Sequence, residues 1–162
     1  ICIKGPTLML EYCGKAPEST FDDAGFYHTG DGGYVDEQGR LYWEGRLNNI
    51  IKTGGANVSP EEVDAAVTTY PGVRRTQTVG VPHETLSEMV VACVVANDGI
   101  TLQEDELVAY LKQRLASFKV PRKVLLFQEA EFPLTGNEKI RIESLRQLAA
   151  KRLGVSVSRT ET

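Results

Sequence analysis

Residues 89–96 read MVVACVVA, an uninterrupted run of eight apolar side chains, four of them valine. A strand exposed on one face would alternate apolar and polar residues. An unbroken run rich in β-branched side chains therefore indicates a strand that is covered on both faces. Residues 97–99 (NDG) then predict a turn. We predict a buried central strand at residues 89–96, and the patterns on either side of it define the rest of the fold.

The segments around this strand alternate between strand and helix patterns. Short apolar stretches predict further strands at residues 50–52, 73–81 and 124–127. The stretch TGGANV, residues 53–58, is predicted to be a loop because its paired glycines favour a turn.

The helix after this loop has a strong start signal. Ser59 is a good N-cap, Pro60 suits the first helical position, and Glu62 stands where it would close a capping box. Glu61, Glu62 and Asp64 are explained by the favourable interaction of acids with a helix N-terminus, so we assign them no catalytic role.

Two further amphipathic helices are predicted. Thr101 and Glu104 have capping-box spacing and would begin the second helix. Apolar residues recur at helical spacing along the second helix and the C-terminal helix, at Leu107, Leu111 and Leu115, and at Ile142, Leu145, Leu148 and Leu153.

The first part of the chain carries strand and turn patterns. Residues 34–35 and 41–43 predict the two strands of a hairpin, with its turn at residues 36–39 (DEQG). The chain opens without Met inside an alternating apolar pattern, so we expect it to be a piece of a longer polypeptide.

These patterns together predict an α+β fold in three parts. Residues 1–46 would form the end of a β-rich N-terminal subdomain. Residues 47–155 would form a small C-terminal domain of about three strands covered by helices, and residues 156–162 a disordered tail.

Composition argues against several classes of function. The 162 residues carry a formal net charge of −4, which disfavours nucleic acid or an anionic membrane as the main partner. No apolar run approaches the ~20 residues of a membrane span. Cys2, Cys13 and Cys93 are an odd number without metal-site spacing, so we predict no metal site and a reducing, cytoplasmic compartment.

Four short motifs follow one another along the chain, at residues 27–31 (YHTGD), 45–55 (GRLNNIIKTGG), 57–63 (NVSPEEV) and 133–140 (PLTGNEKI). In this order and spacing they resemble the C-terminal third of AMP-forming acyl-CoA synthetases. That superfamily also includes the adenylation domains of peptide synthetases and the beetle luciferases. One such motif is a weak signal, but the ordered set spans nearly the whole chain.

The first motif concerns a nucleotide. The resemblance implies that Asp31 binds the ribose hydroxyls of ATP and AMP, a role that suits a carboxylate with two acceptor oxygens. Thr29 and Gly30 would shape the loop so that the nucleotide can approach. Gly32 stands where the family usually has Leu, and we expect a looser backbone there. Taken alone, the motif is more typical of a tight turn than of a nucleotide site.

The second motif begins with a further nucleotide contact. Arg46 presents a planar fork of donors that matches phosphate or ribose oxygens, and the family places an Arg against the nucleotide here. The alternative is a surface Arg that pairs with Glu44 or Glu11. Asn48 aligns with the family's hinge, which is normally Asp or Lys, and Asn can absorb a large backbone change because it tolerates left-handed conformations. Asn49 is the neighbouring alternative.

The end of the second motif concerns coenzyme A. The resemblance implies that Gly54 and Gly55 line the tunnel for its pantetheine arm, although an ordinary turn explains them too. Lys119 and Arg122, in the stretch FKVPRK, are candidates to meet its phosphates, with a solvated basic patch as the alternative.

The last motif supplies the candidate catalytic residue. The resemblance implies that Lys139 reaches the substrate carboxylate and the α-phosphate during adenylation, where a cation offsets developing negative charge. Glu138 replaces the usual Gly before it, which would stiffen the loop and add a negative charge. A lone Lys is otherwise a common surface charge.

The resemblance implies a parent enzyme that is an ATP-dependent carboxylate–CoA ligase. It would convert a fatty or aromatic acid, ATP and coenzyme A into acyl-CoA, AMP and pyrophosphate through an acyl-adenylate. The N-terminal domain would hold most of the site, including Mg²⁺, the phosphate loop and the acid pocket, so this chain alone is expected to be inactive. A carrier-loading adenylation domain and a non-catalytic interaction domain remain alternatives.

Overall fold

The computed structural model describes residues 1–13, 20–136 and 139–155. The chain divides into two compact units, Ile1–Asn48 and Asn49–Thr162. The predicted disordered tail at residues 156–162 lies outside the described residues. Within the described ranges, no helix combines the length and the apolar character that crossing a bilayer requires.

The first unit is built from short antiparallel strands, β1 (Cys2–Ile3), β2 (Tyr27–His28), β3 (Asp31–Val35) and β4 (Leu41–Arg46). β1 pairs with β2, and β3 pairs with β4 in the hairpin predicted from the sequence. Asp36 stabilises the hairpin turn, because its Oδ1 accepts hydrogen bonds from the backbone N–H groups of Gln38 (3.0 Å) and Arg40 (2.8 Å).

The second unit contains one five-stranded sheet, formed by β5 (Ile51–Thr53), β6 (Ala56–Val58), β7 (Val73–His83), β8 (Ser87–Ala96) and β9 (Lys123–Phe127). The strands run in the order β6-β5-β8-β7, and β9 lies parallel to β8. The predicted central strand is confirmed, since β8 pairs with three other strands.

The sheet has more strands than the sequence predicted, because residues 53–58 are not a loop. β5 and β6 form a tight hairpin joined by Gly54 and Gly55, both at positive φ (56° and 83°). Two successive positive φ values match the two-residue turns whose twist suits flanking strands, and glycine adopts them without strain.

Three helices pack on the two faces of this sheet, α1 (Pro60–Thr68), α2 (Glu104–Lys112) and α3 (Ile142–Arg152). Buried side chains of α1 and α2 share a core with Val90, Ala92 and Val94 of β8. Buried side chains of α3 share a second core with the alternate β8 residues, Val91, Cys93 and Val95. Both faces of β8 are therefore covered, which is why its sequence is apolar without interruption.

The predicted start of α1 is confirmed only in part. Ser59 is the N-cap and its Oγ accepts from the backbone N–H of Glu62 at 3.4 Å. The Glu62 carboxylate does not close a capping box. It accepts from Nζ of Lys119 instead, at 2.7 Å.

The predicted capping box of α2 is wrong. Its N-cap is Gln103, which makes no side-chain capping bond. The Glu104 carboxylate instead accepts from the backbone N–H of Val124 at 3.2 Å, so a contact with β9 replaces the local bond to Thr101. In α3, Leu148 is 37% exposed, and the neighbouring Ala149 and Ala150 are buried in its place.

Asp64 is not explained by the helix N-terminus alone. It lies on α1 facing β7, where its carboxylate accepts from Thr78 Oγ1 (2.7 Å) and Gln77 Nε2 (3.2 Å). Burial raises the pKa of Asp64 to about 6, and the nearby charge of Glu61 adds to the rise. The Thr78 hydrogen bond opposes it.

Candidate functional site

The residues of the first unit that are predicted to bind nucleotide meet at one corner, where a turn leads into β3. Gly30 has a φ of +76°, which allows the chain to turn there. The Thr29 hydroxyl accepts from the backbone N–H of Asp31 at 3.1 Å, and the Gly30 carbonyl accepts from the N–H of Leu47 at 2.8 Å. This turn therefore places Asp31 at the first position of β3.

Asp31 and Arg46 face each other across the β3–β4 ladder. Arg46 Nε lies 3.1 Å from Asp31 Oδ1, and Arg46 Nη1 donates to the Thr29 carbonyl at 2.6 Å. The Asp31 side chain is 22% exposed and that of Arg46 58%. The sequence suggested Glu44 or Glu11 as partners of Arg46. It could not reveal this pair, because the partners are 15 residues apart in the chain and meet only through strand register.

The glycines after Asp31 belong to β3 rather than to a loose turn. Gly32 pairs with Gly45, and the ladder shifts register between Gly32 and Gly33. A Cβ on Gly33 would collide with the backbone carbonyl oxygen of Tyr42. The looser backbone expected at Gly32 stays a prediction, and the missing side chain at Gly33 allows the two paired strands to approach closely.

Asn48 is the last residue of the first unit and lies in a single turn of 3₁₀ helix, Leu47–Asn49. Its side chain is exposed. Its role as a hinge stays a prediction.

In the second unit the Gly54–Gly55 turn borders a groove of about 540 Å³. The Gly54 N–H donates to the Leu86 carbonyl at 2.9 Å, and a Cβ on Gly54 would approach Leu86 Cδ2 to 3.3 Å. Apolar and basic side chains such as Phe118, Val120, Lys112 and Arg122 also line the groove, beside the polar Thr53 and Ser117. The groove thus combines an apolar wall with a backbone that lacks side chains.

Two cations line this groove, Lys112 at the end of α2 and Arg122 just before β9. In the described ranges neither has an ion-pair partner. Lys119, the other basic residue singled out in the sequence, is held by both oxygens of Glu62 at 2.7 Å. Sequence reasoning missed Lys112, because only the fold brings the end of α2 beside Arg122.

Lys139 lies in the separate loop before α3. The loop is closed by a bridge between Leu134 and Ile140. Thr135 fixes the backbone of Lys139 twice, because its N–H donates to the Lys139 carbonyl (2.7 Å) and its hydroxyl accepts from the Lys139 N–H (3.1 Å). The Lys139 side chain is exposed. Glu138, which the sequence suggested would stiffen the loop, lies outside the described residues.

As to metals, the parts of the chain that the structure describes contain no group of three or more His, Cys, Asp or Glu side chains that could hold an ion.

Comparison with known proteins identifies the family. Residues 62–139 match the AMP-binding enzyme C-terminal domain. The chain is 37% identical over 142 residues to an oxalate–CoA ligase of Arabidopsis thaliana, across 86% of this chain and 27% of the relative. The chain belongs to the adenylate-forming enzyme superfamily.

Solved structures of adenylate-forming enzymes share the fold. The o-succinylbenzoate CoA synthetase of Bacillus subtilis, in complex with its acyl-adenylate intermediate, aligns with a TM-score of 0.80 at 30% identity, over 90% of this chain and 29% of that one. ATP-bound MatB from Rhodopseudomonas palustris aligns with a TM-score of 0.74 at 35% identity, over 85% and 27%. The chain thus spans just over a quarter of the length of these relatives.

Proposed function

We propose that this chain is the C-terminal part of an ATP-dependent carboxylate–CoA ligase. The parent enzyme would join a carboxylic acid to coenzyme A in two steps, with release of pyrophosphate in the first and AMP in the second. Family membership supports the ligase chemistry. The groove beside Gly54 supports the choice of coenzyme A as acceptor, because a glycine lies at its edge together with two cations that have no ion-pair partner among the described residues.

In the first step Asp31 accepts hydrogen bonds from the ribose hydroxyls of ATP, and Arg46 contacts the same nucleotide. Their 3.1 Å ion pair supports this reading, because it holds the carboxylate and the guanidinium at one corner. Lys139 brings a cation to the carboxylate and the α-phosphate as negative charge develops between them. The two hydrogen bonds between Thr135 and the backbone of Lys139 support this role, because they order that backbone.

In the second step the acyl-adenylate is attacked by the thiol of coenzyme A. The pantetheine arm passes the Gly54–Gly55 turn, where the absence of side chains leaves room for a narrow chain. Lys112 and Arg122 then face the phosphates of the nucleotide end. Both cations line the groove without an ion-pair partner among the described residues, which favours an anionic ligand.

The remaining parts of this function are proposed from family membership rather than from contacts among the described residues. An N-terminal domain would supply the acid pocket, the phosphate loop and the Mg²⁺ that accompanies ATP. Asn48 would be the hinge about which the C-terminal domain rotates between the two steps. We place the enzyme in the cytoplasm and expect the isolated chain to be inactive.

The test uses the full-length parent and its Lys139→Ala variant against a panel of carboxylic acids. We expect the variant to lose acid-dependent ATP–pyrophosphate exchange by about 100-fold or more. Acyl transfer to coenzyme A from preformed acyl-adenylate should stay within about twofold of wild type. Lys151→Ala removes an exposed Lys from α3. It is the matched control and should leave both steps unchanged.

Two results would contradict the proposal in different ways. If Lys139→Ala leaves exchange unchanged, Lys139 is a surface charge and the adenylation role is wrong. If wild-type parent forms acyl-adenylates but transfers them to a carrier-protein thiol and not to coenzyme A, the choice of acceptor is wrong.

A further inference from the structure

The carboxylate of Glu88 joins three elements of the second unit. Its Oε2 accepts from the backbone N–H of Lys52 on β5 at 2.8 Å. Its Oε1 accepts from Nη2 of Arg146 on α3 at 2.9 Å. Glu88 itself lies on β8 with its side chain 19% exposed. A single, largely buried carboxylate therefore links the β5–β6 hairpin to α3 across the central strand.

This link matters because the backbone of β5 makes few contacts with β8, although Ile51 packs in the core. β5 pairs with β8 at only one position, Thr53 opposite Ser87. The Gly54 N–H adds one bond to the Leu86 carbonyl. The backbone N–H of Lys52, one residue before Thr53, donates to the Glu88 side chain rather than to a backbone carbonyl. Glu88 thus completes the attachment of the hairpin that carries Gly54 and Gly55.

The strand beside Glu88 leaves room for its side chain. A Cβ on Gly80 of β7 would lie 2.8 Å from Glu88 Oε1 and 3.1 Å from Ile51 Cγ2. Real Cβ atoms essentially never approach another atom to 2.8 Å. Because the carboxylate is held at both oxygens, it could move away only by losing one of its hydrogen bonds.

We propose that Glu88 is a positioning residue for the thiol-transfer step, which it serves by holding the Gly54–Gly55 turn at the edge of the groove. This inference rests on the proposed function, since it takes the groove to be the coenzyme A site. Glu88 contacts no substrate in this account. It acts through the backbone of Lys52, and Arg146 neutralises and orients its carboxylate.

Glutamine at this position provides a sharp test. Both oxygens of Glu88 accept from donors, whereas the amide of Gln has one oxygen and one NH₂ group. In Glu88→Gln the NH₂ group must therefore face either the Lys52 N–H or the Arg146 guanidinium, and one of the two bonds is lost. The side chain keeps its size, so packing is preserved.

The chain offers a control that makes the same two kinds of contact at a more exposed position, with its side chain 45% exposed. Glu131 also accepts from a backbone N–H, that of Gln128 at 2.8 Å, and from an α3 guanidinium, that of Arg152 at 2.6 Å. Neither of these contacts involves the β5–β6 hairpin. Glu131→Gln thus removes the same kind of bond without releasing Gly54 and Gly55.

The experiment measures both half-reactions of the full-length parent carrying each substitution. We expect Glu88→Gln to raise the KM for coenzyme A by about tenfold, the effect of one charged hydrogen bond. Its ATP–pyrophosphate exchange should stay within about twofold of wild type. Glu131→Gln should change neither quantity by more than that. Equal effects of the two substitutions, or an equal loss in both half-reactions for Glu88→Gln, would overturn the inference.

A second variant keeps the test informative if Glu88→Gln folds poorly. Gly80→Ala displaces the carboxylate while Glu88 is retained, and it should also raise the KM for coenzyme A selectively. A normal KM in a folded Gly80→Ala parent would contradict the positioning role. Failure of the proposed function is distinguishable, because wild-type parent would then show no transfer to coenzyme A at all.

Discussion

Among single residues, Asp64 is a carboxyl group whose ionisation is altered by its burial. Its carboxylate is pressed between α1 and β7, and burial raises its pKa to about 6. A carboxyl group whose pKa is higher in the folded than in the unfolded state stabilises the fold while protonated. That contribution is lost as the pH rises through the folded pKa. At neutral pH the charged form therefore costs stability, even though Thr78 donates a hydrogen bond to it.

We predict that Asp64→Asn increases the free energy of unfolding at pH 8, by at most about 3 kcal/mol. The advantage should shrink as the pH is lowered from about 7 towards 4, because wild-type Asp64 then becomes neutral as well. Urea unfolding of the 162-residue chain, followed by circular dichroism across this pH range, measures the difference. Asp98→Asn, at a position that is 96% exposed, is the control and should show no such pH dependence. A constant offset between Asp64→Asn and wild type would contradict the prediction.

Among elements, the helices show how tertiary contacts replace local ones. α1 keeps its serine cap, whereas its expected partner Glu62 turns to Lys119. α2 has no side-chain cap, and Glu104 binds the backbone of β9 instead. Capping-box spacing is a local signal. The carboxylate makes another contact when a cation or a strand N–H competes with the backbone N–H of the N-cap residue.

This difference leads to a paired prediction. Ser59→Ala should lower the free energy of unfolding by about 1 kcal/mol, because the N–H of Glu62 loses its acceptor. Thr101→Ala should have no measurable effect, because Thr101 is exposed and does not cap α2. Both changes remove a hydroxyl from a position with the same sequence signal. Equal losses of stability in urea unfolding would show that Thr101 caps its helix in solution.

For the whole molecule, the chain matches only part of the length of its known relatives. It spans 27% of the oxalate–CoA ligase, and its candidate site residues lie at the corner of one unit and in two loops of the other. The β3–β4 hairpin also exposes apolar side chains on both of its faces, Tyr34 and Tyr42 on one and Val35, Leu41 and Trp43 on the other. A surface of this kind is typical of a region that another part of a protein covers.

We predict that the isolated 162-residue chain catalyses neither acid-dependent ATP–pyrophosphate exchange nor acyl transfer to coenzyme A. The reason is physical, because a few contacts to ribose and phosphate without an enclosing pocket supply little of the binding energy that catalysis uses. Assays at the same molar concentration as the full-length parent measure the difference. Acyl-adenylate formation by the isolated chain would contradict this prediction.

Local spacing in the sequence determined the elements of this fold. The run at residues 89–96 predicted a strand covered on both faces, residues 36–39 predicted a hairpin turn, and Ser59 predicted a helix start. Each of these signals depends on residues within a few positions of one another. For the same reason, the ordered motifs identified the superfamily without any structure.

Only the tertiary structure decided which side chains meet. The pairs Asp31–Arg46 and Glu88–Arg146, and the contact of Asp64 with Thr78, join residues 14 to 58 positions apart. Their distances depend on strand register and on how helices pack against the sheet, and a shift of one residue would turn each side chain to the other face. Sequence spacing carries no direct record of register, which is why the candidate residues could be named in advance but their partners could not.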